Sequence, residues 1–546
     1  MTLNMTNYEQ EYQNFEWNVP EKYNFAEEVI DYWATDRTKL ALLLVDDYEN
    51  EEKYTFWEMK TFSNQCANFL QDAGLKKGDV VLVLLPRIVE WWISLLGIMK
   101  IGAISAPGTT QLTARDLKYR INLSQAKAVI VDADNAEKVE SIISECPTLQ
   151  IKVLVDGKRP DWIDYYEKMK SASRYFSPAI LKSTDGALIY FTSGTTGYPK
   201  MVFHSQASYP YALKVVGKYW LDLKPTDIHC NLSDTGWGKA AWSSFFGPWH
   251  MGAAILVHKT VGKFNPERTL EIISKCGATT LCAAPTAYRL FVQLDLKKYD
   301  LSELRHCVGA GEPLNPEVIS IWHVATGRYI HDGYGQTETV LTVATFPCLD
   351  IKPGSMGRPT PGFQVNVIDE AGNILENHQE GDLAIRVAEQ MPAGIFVEYL
   401  NDQAGTQDRF QNGWYLTGDR AYRDLDGYFW FVGRSDDVIL SSGYRIGPFE
   451  VESALLEHNA VVEAAVVASP DEVRGEIVKA FVILGSKYVP SETLVKELQE
   501  YVKKVTAPYK YPREIEFVTE LPKTISGKIR RVELRERERQ YKLNLR

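Results

Sequence analysis

Short apolar runs alternate with helical patterns through the first two hundred residues, and this alternation limits the possible folds more than any other feature. Residues 79–86 (DVVLVLLP) read as a strand, and the helical pattern VEWWISLLGIMKIGA follows. Residues 127–133 (KAVIVDA), 151–157 (IKVLVDG) and 186–194 (GALIYFTSG) repeat the pattern with helices between them. Strand–helix alternation at this spacing predicts an α/β protein with largely parallel sheets. The most apolar stretch, 80–107, is interrupted by Pro86, Arg87, Glu90 and Lys100. A membrane span needs about 20 mostly apolar residues, so the stretch reads as a strand followed by a buried helix, and no transmembrane segment is expected.

From about residue 350 the texture changes. Gly, Pro and Asp punctuate short strands in PGSMGRPTPGFQVNVID, GDLAIRV and GYFWFVGR, which predicts a small β-rich subdomain over about 350–434. Beyond Arg434 the pattern reads helix, strand, strand, helix, a compact α+β unit. The expected organisation is a large N-terminal domain over 1–434 and a small mobile C-terminal domain over 435–546. Ser435–Asp437 would be the hinge and Asp436 its pivot. The 546 residues suffice for three or four folding units of roughly 150 residues each.

Charge and cysteine usage exclude several function classes. The net charge of −11 argues against general binding of nucleic acid or anionic membranes, although a local basic patch can still hold an anion. The seven cysteines are scattered without a C-x-x-C pair, so neither a disulfide framework nor a zinc site is expected. The polar N-terminus lacks an apolar signal core, and the expected location is cytoplasmic. The tail is rich in arginine and lysine and, Lys528 apart, reads as a solvated helix face.

The segment Thr192-Ser193-Gly194-Thr195-Thr196-Gly197-Tyr198-Pro199-Lys200 directly follows the apolar run ALIYF. Small residues let backbone N–H groups approach an anion, hydroxyls add donors and lysine adds a point charge, so this loop suits phosphate. It is not a Walker A loop, which ends in Gly-Lys-Ser/Thr; here Pro199 precedes Lys200 and Met201 follows it.

This loop resembles the phosphate loop of the adenylate-forming superfamily, which contains acyl-CoA synthetases, peptide-synthetase adenylation domains and luciferases. Further segments resemble the superfamily's motifs in its order. They are Gly309-Ala-Gly-Glu-Pro-Leu314, Tyr334-Gly-Gln-Thr-Glu338, Tyr415-Leu-Thr-Gly-Asp419, Gly433-Arg-Ser-Asp-Asp437, Ser442-Gly-Tyr-Arg445 and Pro522-Lys-Thr-Ile-Ser-Gly-Lys528. The resemblance covers about residues 30–540. It implies a nucleotide site made by the phosphate loop with Gly311, Glu312, Pro313, Asp332, Gly333, Tyr334, Gly335, Gln336, Thr337, Asp419, Arg434 and Lys528. It gives catalytic roles to Lys200, Thr337, Glu338 and Lys528, with Glu338 on the Mg²⁺ side and Asp419 on the ribose.

The chemistry agrees with these roles. A carboxylate is a poor electrophile, because its charge repels nucleophiles and it lacks a leaving group. Joining it to AMP makes a mixed anhydride. The site must gather anionic oxygens around one phosphorus, and that calls for cations and N–H donors.

Within the superfamily the chain is similar to medium-chain acyl-CoA synthetases, through LPRIVEWW (85–92), SDTGWGKAAW (233–242) and APYKYPREIEF (507–517). That similarity implies CoA contacts at Gln111, Ser442, Gly443, Tyr444, Arg445, Arg474, Lys503 and Tyr511. It implies an acyl pocket at Trp237, Lys239, Trp242, Gly333 and Thr337, suited to short- or medium-chain acids, branched ones included. Lys239 stays open between a buried, partnered ammonium and one that snorkels to the surface. The expected reaction joins a carboxylic acid to CoA at the expense of ATP. The alternatives are loading of a carrier-protein thiol, a non-catalytic adenylate sensor, and luciferase-like oxidation.

Overall fold

The computed structural model describes residues 2–192, 199–260, 264–441, 444–471, 474–524 and 528–544, with Arg445 and Asn544 described by their backbone only. Ser193, Gly194, Thr195, Thr196, Gly197, Ser442, Gly443 and the Arg445 side chain therefore lie outside the described residues.

The fold is α/β. Among the described residues the strands form four sheets. In the first, Ile104–Pro107, Val80–Leu84, Ala128–Val131, Ile151–Leu154 and Ile163–Asp164 run parallel in that spatial order, next to Gly186–Phe191. Met201–Ser205 and Glu398–Tyr399 extend the sheet antiparallel. The second sheet has a parallel centre of Ile330–Gly335, His306–Ala310, Thr280–Ala283, Ile228–Asn231, Ala254–Lys259 and Leu40–Asp46, with antiparallel strands at both edges. The apolar runs read as strands are strands: every residue of Ala128–Val131 is buried, as befits a sheet covered on both faces.

The apolar segment after the first of these strands forms the helix Val89–Ile101, buried along its whole length. Its lysine, Lys100, is fully buried and donates to Asn64 at 2.6 Å and to Asp31 at 3.1 Å. At Gly97 the helix approaches its neighbour so closely that a Cβ would lie 2.6 Å from Cys66 Sγ. No helix among the described residues is long and apolar enough to cross a membrane. All seven cysteines are free thiols.

The segment expected to be β-rich forms a five-stranded antiparallel sheet from Val365–Ile368, Gly381–Arg386, Phe410–Gln411, Trp414–Arg423 and Phe429–Arg434. The last sheet, built from residues 439–517, has its own apolar cluster around Val451, Leu455, Val466, Ala480 and Leu498. Phe431 meets Phe449 edge-on at 6.2 Å where the chain passes between the two sheets.

The tail keeps the expected solvated face over Arg530, Arg537 and Arg539, which are exposed, while Arg531, Arg535 and Glu538 make contacts the sequence did not mark. Arg531–Asn544 is a helix, but Glu538 is buried within it and accepts from Lys479 Nζ at 2.6 Å and from Ser469 Oγ at 2.9 Å. Arg531 forms a bidentate pair with Glu452, and Arg535 pairs with Asp437 while donating to the Asp436 carbonyl at 2.8 Å. These inward contacts went unmarked because the partners of Glu538, Arg531 and Arg535 lie 59 to 99 residues away in sequence.

Breaking a buried ion pair costs about 3–5 kcal/mol. Glu516 stays 3.0 Å from Lys479, so Glu538→Ala is expected to cost about 3 kcal/mol, the lower end of that range. Hydrogen exchange in Val461–Asp471 and Gly475–Leu484 would report it; unchanged protection there would contradict the assignment.

Candidate active site

The candidate residues follow the C-terminal ends of parallel strands, the usual crevice of an open α/β sheet. Thr192 follows Gly186–Phe191, Glu312 follows His306–Ala310, and Gln336, Thr337 and Glu338 follow Ile330–Gly335. Thr192 and Lys200, the ends of the expected phosphate loop, are joined by two hydrogen bonds: Thr192 N–H donates to Lys200 O at 3.0 Å, and Lys200 N–H donates to Thr192 Oγ1 at 3.2 Å.

Asp419 is buried and stands directly opposite Arg434 in the antiparallel register. Arg434 Nη1 lies 3.2 Å from Asp419 Oδ1. Gln336 Nε2 donates to Asp419 Oδ2 at 2.7 Å, and the Tyr334 hydroxyl donates to the same oxygen. Tyr415 donates to Gln336 Oε1 at 3.0 Å, which orients the amide. Burial alone would lower the Arg434 pKa, but Asp419, Tyr334, Asp436 and Glu338 outweigh it and raise the pKa above the ordinary value.

Glu312 accepts from Thr286 Oγ1 at 2.5 Å and from Arg289 Nη2 at 3.0 Å. Burial pulls its pKa up, yet Arg289, Thr286 and Lys239 hold the carboxyl below the usual range. Lys239 takes the partnered alternative: its ammonium donates to Ala310 O at 2.9 Å, and burial lowers its pKa. The Lys528 side chain is exposed. Protein atoms near its ammonium lower its pKa by desolvation; Glu312, Asp419 and Glu338 pull the other way, and Arg434 pushes it further down. Lys528 N–H donates to Thr524 Oγ1 at 3.1 Å, and Thr524 N–H donates to Lys528 O at 2.7 Å.

Sequence reasoning missed a second group. Lys200 Nζ lies 3.0 Å from Asp402 and 4.5 Å from the Tyr399 ring centre. Tyr399 donates to Glu338 Oε1 at 2.7 Å. The Lys200 hydrogen bond lowers the Asp402 pKa, assisted by the Gly405 N–H. His204, buried one strand beyond the phosphate loop, contacts the Thr337 carbonyl at 2.8 Å, and burial lowers its pKa to about 4. Tyr399, Asp402 and His204 belong to none of the short motifs. The available signal was the position of His204 four residues after Lys200, inside a strand.

Around the expected acyl pocket, the glycines are packed against indoles. A Cβ on Gly333 would lie 2.5 Å from Trp220, and one on Gly335 would lie 2.5 Å from Trp242. Trp220 thus joins the expected wall, while Trp237 is half-buried at the start of the helix Gly238–Ala241. The expected CoA residues are spread out. Gln111 is exposed on the N-terminal side, Lys503 lies over Tyr511 at 4.2 Å, Tyr444 stacks on Tyr509 at 4.3 Å, and the Arg474 backbone is held by Asp471 at 2.8 Å. No contact joins Gln111 to the others among the described residues.

Comparison with known proteins gives consistent findings. The family model for AMP-binding enzymes matches residues 31–394, and that for the AMP-binding enzyme C-terminal domain matches residues 450–528. The mitochondrial acyl-coenzyme A synthetase ACSM3 of Rattus norvegicus is 48% identical over 98% of this chain and 94% of its own length. The mitochondrial acyl-coenzyme A synthetase ACSM4 of Rattus norvegicus is 48% identical over 95% of this chain and 91% of its own length. A crystal structure of the anthranilate CoA ligase AuaEII in complex with anthranoyl-AMP superposes with a TM-score of 0.89. It is 32% identical, covering 97% of this chain and 99% of that one.

Asp332 yields a pH prediction. Burial pushes its pKa up to about 7, although the Gly333 and Leu314 amides pull it down. Its folded-state pKa lies above the unfolded value of 3.8. Its contribution to stability is therefore fully present below about pH 4 and is lost as pH rises through about 7. Asp332→Asn removes that titration. The variant's stability relative to the parent is expected to grow between about pH 4 and 7, by up to about 4 kcal/mol, and then level off. Urea unfolding across pH checks this; a pH-independent difference would contradict it.

Proposed function

Because the chain belongs to the AMP-binding enzyme family, we propose that it works as an AMP-forming acyl-CoA synthetase, activating a carboxylic acid with ATP and passing the acyl group to CoA. The observation that carries this reading is that residues of three expected motifs, Tyr334 with Gln336, Asp419, and Arg434, meet on the one buried carboxylate of Asp419.

In the first half-reaction, a carboxylate oxygen attacks the α-phosphorus of ATP, the bond to the β-phosphate oxygen breaks, and pyrophosphate leaves. Asp419 accepts from the ribose hydroxyls, with Arg434 beside it. Gly311, Glu312, Pro313 and Asp332 through Gln336 line the adenine side, and the loop from Thr192 to Lys200 receives the β- and γ-phosphates. Thr337 donates to the α-phosphate, and Lys528 neutralises charge as it grows there. Lys200 is held by Asp402 before nucleotide arrives, an exposed pair of the kind worth only about 0–1 kcal/mol, so a phosphate can displace it.

Glu338 suits Mg²⁺, which commonly takes one or two protein carboxylates together with phosphate oxygens. Tyr399 occupies one oxygen of Glu338 as a donor, fixing the carboxylate and leaving the other as a ligand. When bound, Mg²⁺ would supply charge stabilisation for the polyphosphate.

In the second half-reaction, the CoA sulfur attacks the acyl carbon, AMP leaves with the bonding electrons, and the thiol proton is released. A thiol channel must then reach the carbon that Lys528 helped to activate. We assign the switch to rotation of the small C-terminal domain, residues 435–546, about Asp436. Rotation would bring forward the face of Ser442, Gly443, Tyr444 and Arg445, together with Arg474, Lys503 and Tyr511, opposite Gln111. Trp237, Trp242, Lys239 and Gly333 bound the acid, and the Trp220 indole against Gly333 favours short- or medium-chain acids. The free thiols fit a reducing compartment, cytoplasm or mitochondrial matrix.

Three measurements test this. Acid, ATP and free CoA should yield acyl-CoA, AMP and pyrophosphate without a carrier protein; release of AMP only with a carrier protein would favour the carrier-loading alternative. Lys528→Ala should slow acyl-AMP formation by about 10²-fold or more, yet still convert supplied acyl-AMP to acyl-CoA; equal loss of both half-reactions in a folded variant would contradict the division. Trp237→Ala should shift preference towards longer chains in a panel of linear acids, and an unchanged ranking would remove Trp237 from the wall.

A further inference from the structure

His204 lies on the strand that leaves the phosphate loop, but its ring reaches the other nucleotide motif. Its Nε2 is 2.8 Å from the carbonyl of Thr337, a residue 133 positions away. A carbonyl only accepts, so Nε2 carries the proton. Nδ1 then has a lone pair, and the Ser208 hydroxyl at 3.2 Å donates to it. Ser208 Oγ in turn accepts the Ser205 N–H at 2.9 Å, while Ser208 N–H donates to Ser205 Oγ at 3.1 Å. Every polar atom of this chain has a partner, and together they fix one tautomer. The ring packs on Tyr209 with centres 4.2 Å apart, and the Tyr209 hydroxyl accepts from Trp242 Nε1 at 2.6 Å. The imidazole can therefore neither tilt nor flip without breaking a buried contact.

The next peptide is held too. Phe396 N–H donates to Glu338 O at 2.7 Å. Two successive carbonyls are thus fixed, that of Thr337 by a side chain and that of Glu338 by a backbone amide. Their peptide planes decide where the intervening side chains point.

We propose that His204 is a positioning residue for adenylation: by holding the Thr337 carbonyl, it ties the strand leaving the phosphate loop to the Thr337–Glu338 segment and keeps that segment aimed at the α-phosphate. It touches no reacting atom and acts through Thr337. This role rests on the reading that Thr337 and Glu338 face the α-phosphate. Misplacement of a reacting group by about 1 Å can cost roughly 10²-fold in rate, so the tether matters even though it lies one residue away from the chemistry.

The test separates the half-reactions in the full-length enzyme. His204→Phe keeps a planar ring but loses the donor; His204→Gln keeps a side-chain N–H donor. The Phe variant is expected to lower kcat for acyl-AMP formation by about 30-fold to 10²-fold, with KM for ATP within about threefold of the parent. Conversion of supplied acyl-AMP to acyl-CoA should stay within about threefold, and the Gln variant should recover most of the lost kcat. A folded Phe variant with parental kcat, an equal fall in both half-reactions, or a Gln variant no better than Phe would each overturn the proposal. Should the Phe variant not fold, Ser208→Ala carries the test: it keeps the ring but frees the tautomer, and an unchanged kcat for acyl-AMP formation would overturn the proposal. A parent enzyme that makes no acyl-AMP would overturn the underlying reading of the site and this role with it. Loss of the effect in the variants alone would overturn only the role.

Discussion

The buried carboxylate of Asp419 is the interaction on which the site depends. Leaving such a charge unpaired in a protein interior costs several kcal/mol, so it must be met by donors. Here the donors come from separate elements: Tyr334 and Gln336 from the end of a strand in the large parallel-centred sheet, and Arg434 from the strand beside Asp419. Satisfying one charge thus locks the small antiparallel sheet onto the large one. Arg434 also lies 3.8 Å from Asp436, so the guanidinium that steadies Asp419 reaches the segment expected to act as hinge. The tail helix meets the same segment from the other side through Arg535.

Charge is managed locally throughout the cleft. A chain of net charge −11 has no general attraction for a polyanion, yet it concentrates Lys200, Lys239, Arg289, Arg434 and Lys528 around the carboxylates of Glu312, Glu338, Asp402 and Asp419. Such pairing keeps the cations in place before substrate arrives, and pre-set charges need little reorganisation as the reaction proceeds. The lysines differ in kind. Lys239 donates to a backbone carbonyl, Lys200 is lightly held in an exposed pair, and Lys528 is exposed, with Glu312, Asp419 and Glu338 acting on its charge against Arg434.

Those features of the sequence that are local were legible. Continuous apolar runs such as ALIY predicted strands because both faces of a parallel sheet are buried. The short motifs predicted Asp419, Arg434, Gln336 and Glu338 as one site, and the cross-strand register of Asp419 with Arg434 shows why residues 15 apart meet. What escaped was long-range. Tyr399 reaches Glu338 across 61 residues, and Glu538 reaches Lys479 across 59, with nothing in the neighbouring sequence to mark either pair. A buried histidine such as His204 looks like any residue of an apolar strand until its partner is known. The expected thiol-side residues have no fixed spacing.

The central claim is that one cleft performs two successive reactions, the first complete without CoA. The most direct test is a single-turnover quench of enzyme mixed with α-labelled ATP and a medium-chain acid, with CoA withheld. The account predicts a burst of enzyme-bound acyl-AMP approaching one equivalent per active site, discharged to acyl-CoA and AMP once CoA is added. An absence of acyl-AMP, with ATP cleaved only when CoA is present, would contradict it.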